Sequence, residues 1–162
     1  MTRVAVIDDH MVVRAGLKYL LEAAGEMEFA GELAGGEGAA DFVLSVKPDV
    51  TLLDVRMPDK NGIEALKDIL AAEPGAKVVM LTTSDTEEDV FRAIEEGAMG
   101  YVIKDSPVEI IAAAIRSAVA GDVYMTDGNN TYCFTNINKF TKSKVNTITL
   151  STDTYFCTTG KN

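Results

Sequence analysis

Across residues 1–124, short apolar runs alternate with segments of helical period, five of each. The apolar runs fall at 3–8, 28–33, 50–54, 77–82 and 100–103, and the helical patterns at 11–24, 37–46, 62–73, 86–97 and 107–120. Val12, Val13, Leu17, Leu20 and Leu21 in the first helical segment, and Ile110, Ile111, Ala114, Ile115 and Val119 in the last, recur at the spacing that puts apolar groups on one helix face. Gly25, Gly97 and Gly121 follow helical segments as C-terminal stops. The third and fourth strand runs are apolar nearly throughout, the pattern of strands covered on both faces. Five such β-α units predict an α/β fold, a doubly wound five-stranded parallel sheet with helices on both faces.

The pattern stops near Met125-Thr126-Asp127-Gly128. Residues 1–124 hold 19 Ala, 23 acids and 11 Lys or Arg, a net charge of -12. Residues 125–162 hold no Ala, 10 Thr, 6 Asn, 4 Lys and 2 Asp, a net of +2. The break predicts one domain over 1–122 and a Thr/Asn-rich tail over 123–162. Runs at 131–135, 145–150 and 154–158 alternate in period two and suit a β-hairpin or small meander, while the shortness of the segment suits a disordered extension equally.

The whole-chain charge of -10 argues against nonspecific attraction to nucleic acid or anionic membrane. No apolar run approaches the roughly 20 residues that span a bilayer, and the N-terminus enters a strand pattern directly rather than a signal peptide. The lone histidine, His10, excludes a His-based zinc site. Cys133 and Cys157 lack metal-ligand spacing and read as unpaired strand residues, and Asn129-Asn130-Thr131 matches a glycosylation sequon without meaning in a cytoplasmic, reduced setting.

The polar residues that end the strand runs are Asp8 and Asp9 after the first, Asp54 after the third, Thr82 after the fourth and Lys104 after the fifth. In a parallel sheet those tips share one edge, where open α/β folds place their chemistry. Two unit charges about 4 Å apart repel by roughly 4 kcal/mol at an effective dielectric of about 20, so three gathered carboxylates need a compensating cation, either a hard divalent ion or a lysine. The set suits phosphoryl transfer: an aspartate nucleophile, acids to hold Mg²⁺, and a lysine and a hydroxyl for the phosphoryl oxygens.

With these tips go the stretches Val6-Ile7-Asp8-Asp9-His10, Leu53-Asp54-Val55-Arg56-Met57-Pro58, Leu81-Thr82-Thr83-Ser84 and Gly100-Tyr101-Val102-Ile103-Lys104-Asp105. Residues 1 to about 122 resemble a response regulator receiver domain of two-component systems, of the subfamily that usually carries a LuxR-type helix-turn-helix. The resemblance implies a flavodoxin-like receiver fold with Asp54 as phosphoacceptor. It implies Mg²⁺ held by Asp8, Asp9, Asp54 and the backbone carbonyl of Arg56, with Thr82 and Lys104 contacting the phosphoryl group. Thr82 and Tyr101 would be the switch residues. It also implies a cytoplasmic protein that is a signalling switch rather than an enzyme, a sensor histidine kinase as partner, a homodimer as a further assembly, no membrane, and transcriptional control. DNA binding would need a helix-turn-helix domain, and the tail, with four Lys, no Arg and no helical pattern, does not resemble one. A stand-alone phosphorelay protein is the alternative. Many receivers carry Lys-Pro where this chain has Lys104-Asp105.

Other readings compete residue by residue. Asp8 or Asp9 could cap the first helix as well as approach a metal. His10 reads as a solvent-facing residue of the first helical turn. Period-two alternation admits only one of Thr82 and Thr83 to the site, and the register of the apolar run favours Thr82. The acids of 85–89 suit the positive end of the fourth helix. A haloacid-dehalogenase-type aspartyl-phosphate phosphatase needs an Asp-x-Asp pair at the first strand, where this chain has adjacent acids. A flavodoxin-like carrier needs a phosphate cradle after that strand, where this chain has Asp8-Asp9-His10.

Overall fold

The computed structural model describes residues 1–83, 87–127 and 130–134. In chain order the elements are β1 (Thr2–Ile7), α1 (Met11–Ala23), β2 (Met27–Leu33), α2 (Ala39–Val46), β3 (Val50–Asp54), α3 (Gly62–Ala72), β4 (Val78–Thr82), α4 (Glu87–Glu95), β5 (Gly100–Ile103), α5 (Val108–Val119), β6 (Val123–Asp127) and β7 (Asn130–Phe134). All five expected strands and all five expected helices are present, with ends shifted by at most two residues. The sheet order is β2-β1-β3-β4-β5-β6-β7. Pairing is parallel from β2 through β6, and β7 alone is antiparallel. The flavodoxin-like expectation holds.

The strand count is corrected from five to six in the parallel sheet. β6 pairs Tyr124 with Gly100 and Met125 with Tyr101. Its Val123, Tyr124 and Met125 are buried, so the chain past α5 is drawn in by apolar side chains that periodicity alone left unassigned. A Cβ at Gly100 would stand 3.0 Å from the Tyr124 carbonyl oxygen, so the bare glycine is what lets β6 approach β5. β7 coincides with the run expected at 131–135 and forms a hairpin with β6. The runs at 145–150 and 154–158, Cys157, Asn129 and the Cys133 side chain lie outside the described residues.

The nearly all-apolar strands follow from burial on both faces. Val4, Val6, Leu52, Val79 and Leu81 point to one side, against Leu17 and Leu21 of α1 and Ile111 and Ile115 of α5. Ile7, Leu53, Val78 and Met80 point to the other, against Val43 of α2, Leu66 and Ile69 of α3 and Ala93 of α4. Each fully buried aliphatic side chain of this kind contributes about 1.5–3 kcal/mol. The glycine stops behave as expected: Gly25, Gly97 and Gly121 sit at φ of 76°, 106° and 86°, where other residues are strained. α3 begins on Asn61, whose side chain accepts from the Ile63 amide at 2.8 Å. α2 starts two residues later than its pattern suggests, because Gly38 sits in the left-handed region at φ 75°, which a right-handed helix cannot include; ahead of it the Gly36 and Glu37 amides donate to the Asp59 carboxylate at 3.1 and 3.0 Å.

Candidate functional site

Register fixes the strand tips at one level. Ile7 is opposite Leu53, Asp54 opposite Leu81 and Thr82 opposite Ile103. The ladder continues one residue past each strand: the Asp8 amide donates to the Leu33 carbonyl at 3.1 Å, Val55 to Leu81 at 3.0 Å and Lys104 to Thr82 at 2.7 Å. Side chains separated by nearly a hundred residues are thereby delivered to one edge.

Asp8, Asp54 and Thr82 are buried, at 0%, 2% and 1% exposure. Thr83, one residue past the end of β4, is exposed. The Lys104 Nζ lies 2.7 Å from Asp8 Oδ2 and 3.0 Å from Asp54 Oδ2, with its own side chain 7% exposed. One ammonium thus bridges two buried carboxylates. Burial pushes the Asp54 carboxyl above the ordinary carboxylate range and the neighbouring Asp8 adds to the rise, against the Lys104 hydrogen bond and charge and the Arg56 amide, which donates to Asp54 Oδ1 at 3.2 Å. Burial alone would lower the Lys104 ammonium, but its hydrogen bonds and charge pairing with Asp8 and Asp54 outweigh that and hold it above the usual lysine range.

Asp9 and His10 complete the acidic side. The His10 Nδ1 lies 3.2 Å from Asp8 Oδ1 and 3.2 Å from Asp9 Oδ1. The His10 amide donates to Asp8 Oδ1 at 2.8 Å, a local turn that aims the Asp8 carboxylate back over the chain. The expectation that Asp8 or Asp9 caps α1 is corrected: the N-cap position is His10, without a side-chain cap, and Asp8 instead accepts the amide that enters the helix. Asp8, Asp9, His10 and Asp54 offer ligand atoms that all lie within 4.8 Å of one another. Three hard carboxylates are the donor chemistry of Mg²⁺, and their mutual repulsion, met here by Lys104, is what such an ion would relieve.

The loop after β3 is braced by residues that strand-tip reasoning did not select. A Cβ on Gly62 would stand 2.0 Å from the Asp54 carbonyl oxygen, and the Gly62 amide donates to the Val55 carbonyl at 2.8 Å. Glycine alone lets the first turn of α3 press on the backbone that carries Asp54. The Arg56 guanidinium reaches α4, donating to Asp89 Oδ2 at 2.8 Å. Arg14 on α1 donates to the Asp8 carbonyl at 2.8 Å. The glycine spaced after Met57-Pro58 was a visible sign of a close approach; the Arg56–Asp89 contact joins segments 33 residues apart and leaves no local signature, whereas Arg14 reaches back only six residues, across the turn between β1 and α1.

Tyr101 is wholly buried on β5, opposite Met80 on one side and Met125 on the other. It lies in the core beneath α4 rather than among the carboxylates. Residues 84–86, which include the first two positions of the acidic stretch expected at 85–89, fall outside the described residues, while Asp89 is engaged by Arg56. The Lys104–Asp105 junction contains no cis bond. No helix among the described residues is long and apolar enough to cross a membrane.

Comparison with known proteins follows the same outline. The response regulator receiver domain family matches residues 4–116. The transcriptional regulatory protein YxjL of Bacillus subtilis is 47% identical over 120 residues, covering 74% of this chain and 55% of that one. Protein CcdB of Bacillus subtilis is 45% identical over 104 residues, covering 64% of this chain and 86% of that protein. Among solved structures, the signal receiver domain of the response regulator NarL from Mycobacterium tuberculosis superposes with a TM-score of 0.70 at 32% identity, covering 74% of this chain and 97% of that one. The chain spans little more than half the length of the transcriptional regulators it matches.

Proposed function

The chain belongs to the response regulator receiver domain family, and we propose that Asp54 is its phosphoacceptor, taking a phosphoryl group from a sensor histidine kinase. The family assigns a phosphorylation-controlled signalling domain rather than a classical enzyme, and receiver domains bind Mg²⁺ at an acidic pocket of the kind present here. One observation carries the assignment to particular residues: a buried aspartate at a strand tip, paired at 3.0 Å with a buried lysine and flanked by further acids.

The chemistry follows from those residues. A carboxylate oxygen of Asp54 attacks the donor phosphorus; the bond from phosphorus to the phosphohistidine nitrogen breaks, its electron pair stays on nitrogen, and an acyl phosphate forms. Arg56 holds the Asp54 carboxylate through its amide, and burial keeps water from its faces. Lys104 already bridges Asp8 and Asp54, so its ammonium can follow the incoming charge and pair with the phosphoryl oxygens, and Thr82 at the neighbouring tip offers a hydroxyl to them. Asp8, Asp9, Asp54 and the Arg56 carbonyl are the proposed Mg²⁺ ligands, the ion supplying charge neutralisation on the transferring group. The switch then runs through Thr82 to Tyr101, altering the face of α4, β5 and α5 and with it a homodimer or partner contact.

The same reading takes residues 1–122 as the switching unit and 123–162 as an appended segment whose first strands extend the sheet. It places the chain in the cytoplasm, as the receiver of a transcriptional regulator that binds DNA through a helix-turn-helix outside this sequence. The match across most of CcdB favours a stand-alone receiver as the second reading. Acetyl phosphate with Mg²⁺ should label the protein and leave Asp54→Asn unlabelled. Undiminished labelling of that variant would overturn the assignment.

A further inference from the structure

We propose that His10 is a metal ligand of this site, so that it takes a first-row transition-metal dication such as Mn²⁺ in preference to Mg²⁺. The inference rests on the metal-site reading above and adds a nitrogen donor to it. His10 Nδ1 lies 3.2 Å from Asp8 Oδ1 and 3.2 Å from Asp9 Oδ1, while Lys104 takes the other Asp8 oxygen, Oδ2. Ligand atoms cis to one another in an octahedral site with bonds of about 2.1 Å lie about 3.0 Å apart, so the separations that here suit hydrogen bonding from the ring to the acids are also compatible with one shared ion. The ring is 60% exposed and leaves its other nitrogen in reach of water, so an ion can enter from solvent without unpacking the core. His10 is also held in place by its backbone: its amide is bonded to Asp8 and its carbonyl accepts from Arg14 at 3.1 Å. The ring therefore starts from a backbone position fixed beside the two acids.

The donor set decides the preference. Mg²⁺ favours carboxylate, carbonyl and water oxygens and gains little from an imidazole, whereas first-row transition ions bind mixed nitrogen and oxygen sites more tightly along the series from Mn²⁺ upward. Three carboxylates alone would leave the choice to ion availability. An added imidazole tilts it.

The chain contains one histidine, which makes the test direct when the full 162-residue protein is prepared without a histidine tag. Electron spin-echo modulation of bound Mn²⁺ should show an imidazole ¹⁴N coupling in the wild type that disappears in His10→Gln and His10→Ala. Competition titrations should show the preference for Mn²⁺ over Mg²⁺ falling by about tenfold in both variants, with the Mg²⁺ affinity itself little changed. Mn²⁺ bound without a nitrogen coupling, or a preference that both variants retain, would overturn this inference alone. Failure of the wild type to bind either ion would overturn the metal site together with it.

Discussion

Replacing Lys104 by methionine removes one ammonium and leaves two buried carboxylates facing each other. The contacts at 2.7 and 3.0 Å correspond to gross attractions of about 6 and about 5.5 kcal/mol at an effective dielectric of about 20. Most of that is offset by the cost of desolvating the lysine, which the variant no longer bears. What remains is the penalty of a buried pair broken on one side, about 3–5 kcal/mol. In a chain of this size that is a drop in melting temperature of roughly 6–20 °C. The carboxylates can escape part of it by taking up a proton. Asp54 is already displaced upward by burial and by Asp8, and loss of the lysine moves it further. Over the interval between the ordinary carboxylate pKa and this raised value the native state binds more protons than the unfolded chain, so acidification favours the native variant. Denaturant unfolding at about pH 7.5 and again at about pH 5 should therefore show a large deficit that shrinks at the lower pH. Added Mg²⁺ should restore more stability to the variant than to the wild type, because the ion meets the charge that Lys104 met. A deficit below about 1 kcal/mol, or one independent of pH, would refute the view that Lys104 neutralises a pair of charged, buried acids.

Asp54→Asn should raise the melting temperature at neutral pH and lose that advantage in acid, since the raised carboxyl costs native stability once the pH climbs above its folded value; thermal melts across the acid range check the sign. Gly62→Ala should lose about 1–3 kcal/mol in denaturant unfolding, because its new methyl meets the immovable Asp54 carbonyl. Leu66→Ala, at a position with 0% exposure, should lose about 2–5 kcal/mol in the same assay without abolishing labelling by acetyl phosphate. Asn61→Ala should cost about 1 kcal/mol through the lost cap of α3.

The parallel fold was legible because burial on both faces writes itself into sequence as runs such as Val78–Met80 and Leu52–Leu53, while the helices between carry a one-sided stripe. Asp8, Asp54, Thr82 and Lys104 were legible for a related reason: a polar residue ending an apolar strand is conspicuous, and a parallel sheet leaves it one place to go. β6 was not, since Val123-Tyr124-Met125 is too short to show a period and pairs with β5 through only two residues. Nor was His10 as a neighbour of both acids. Its sequence position allowed a solvent-facing ring, and only the turn made by its amide on Asp8 brings the imidazole over the carboxylates. The contact of Arg56 with Asp89 depends on how α4 sits, a tertiary matter with no local trace.

The central claim is that the phosphoryl group resides on Asp54. An acyl phosphate is reduced by borohydride to the alcohol, which converts the modified aspartate to homoserine. After phosphorylation, reduction and proteolysis, mass spectrometry of the peptide spanning β3 should place homoserine at position 54 and leave Asp8 and Asp9 unchanged. Homoserine at position 8 or 9, or none in any peptide of a protein that carries label, would contradict it.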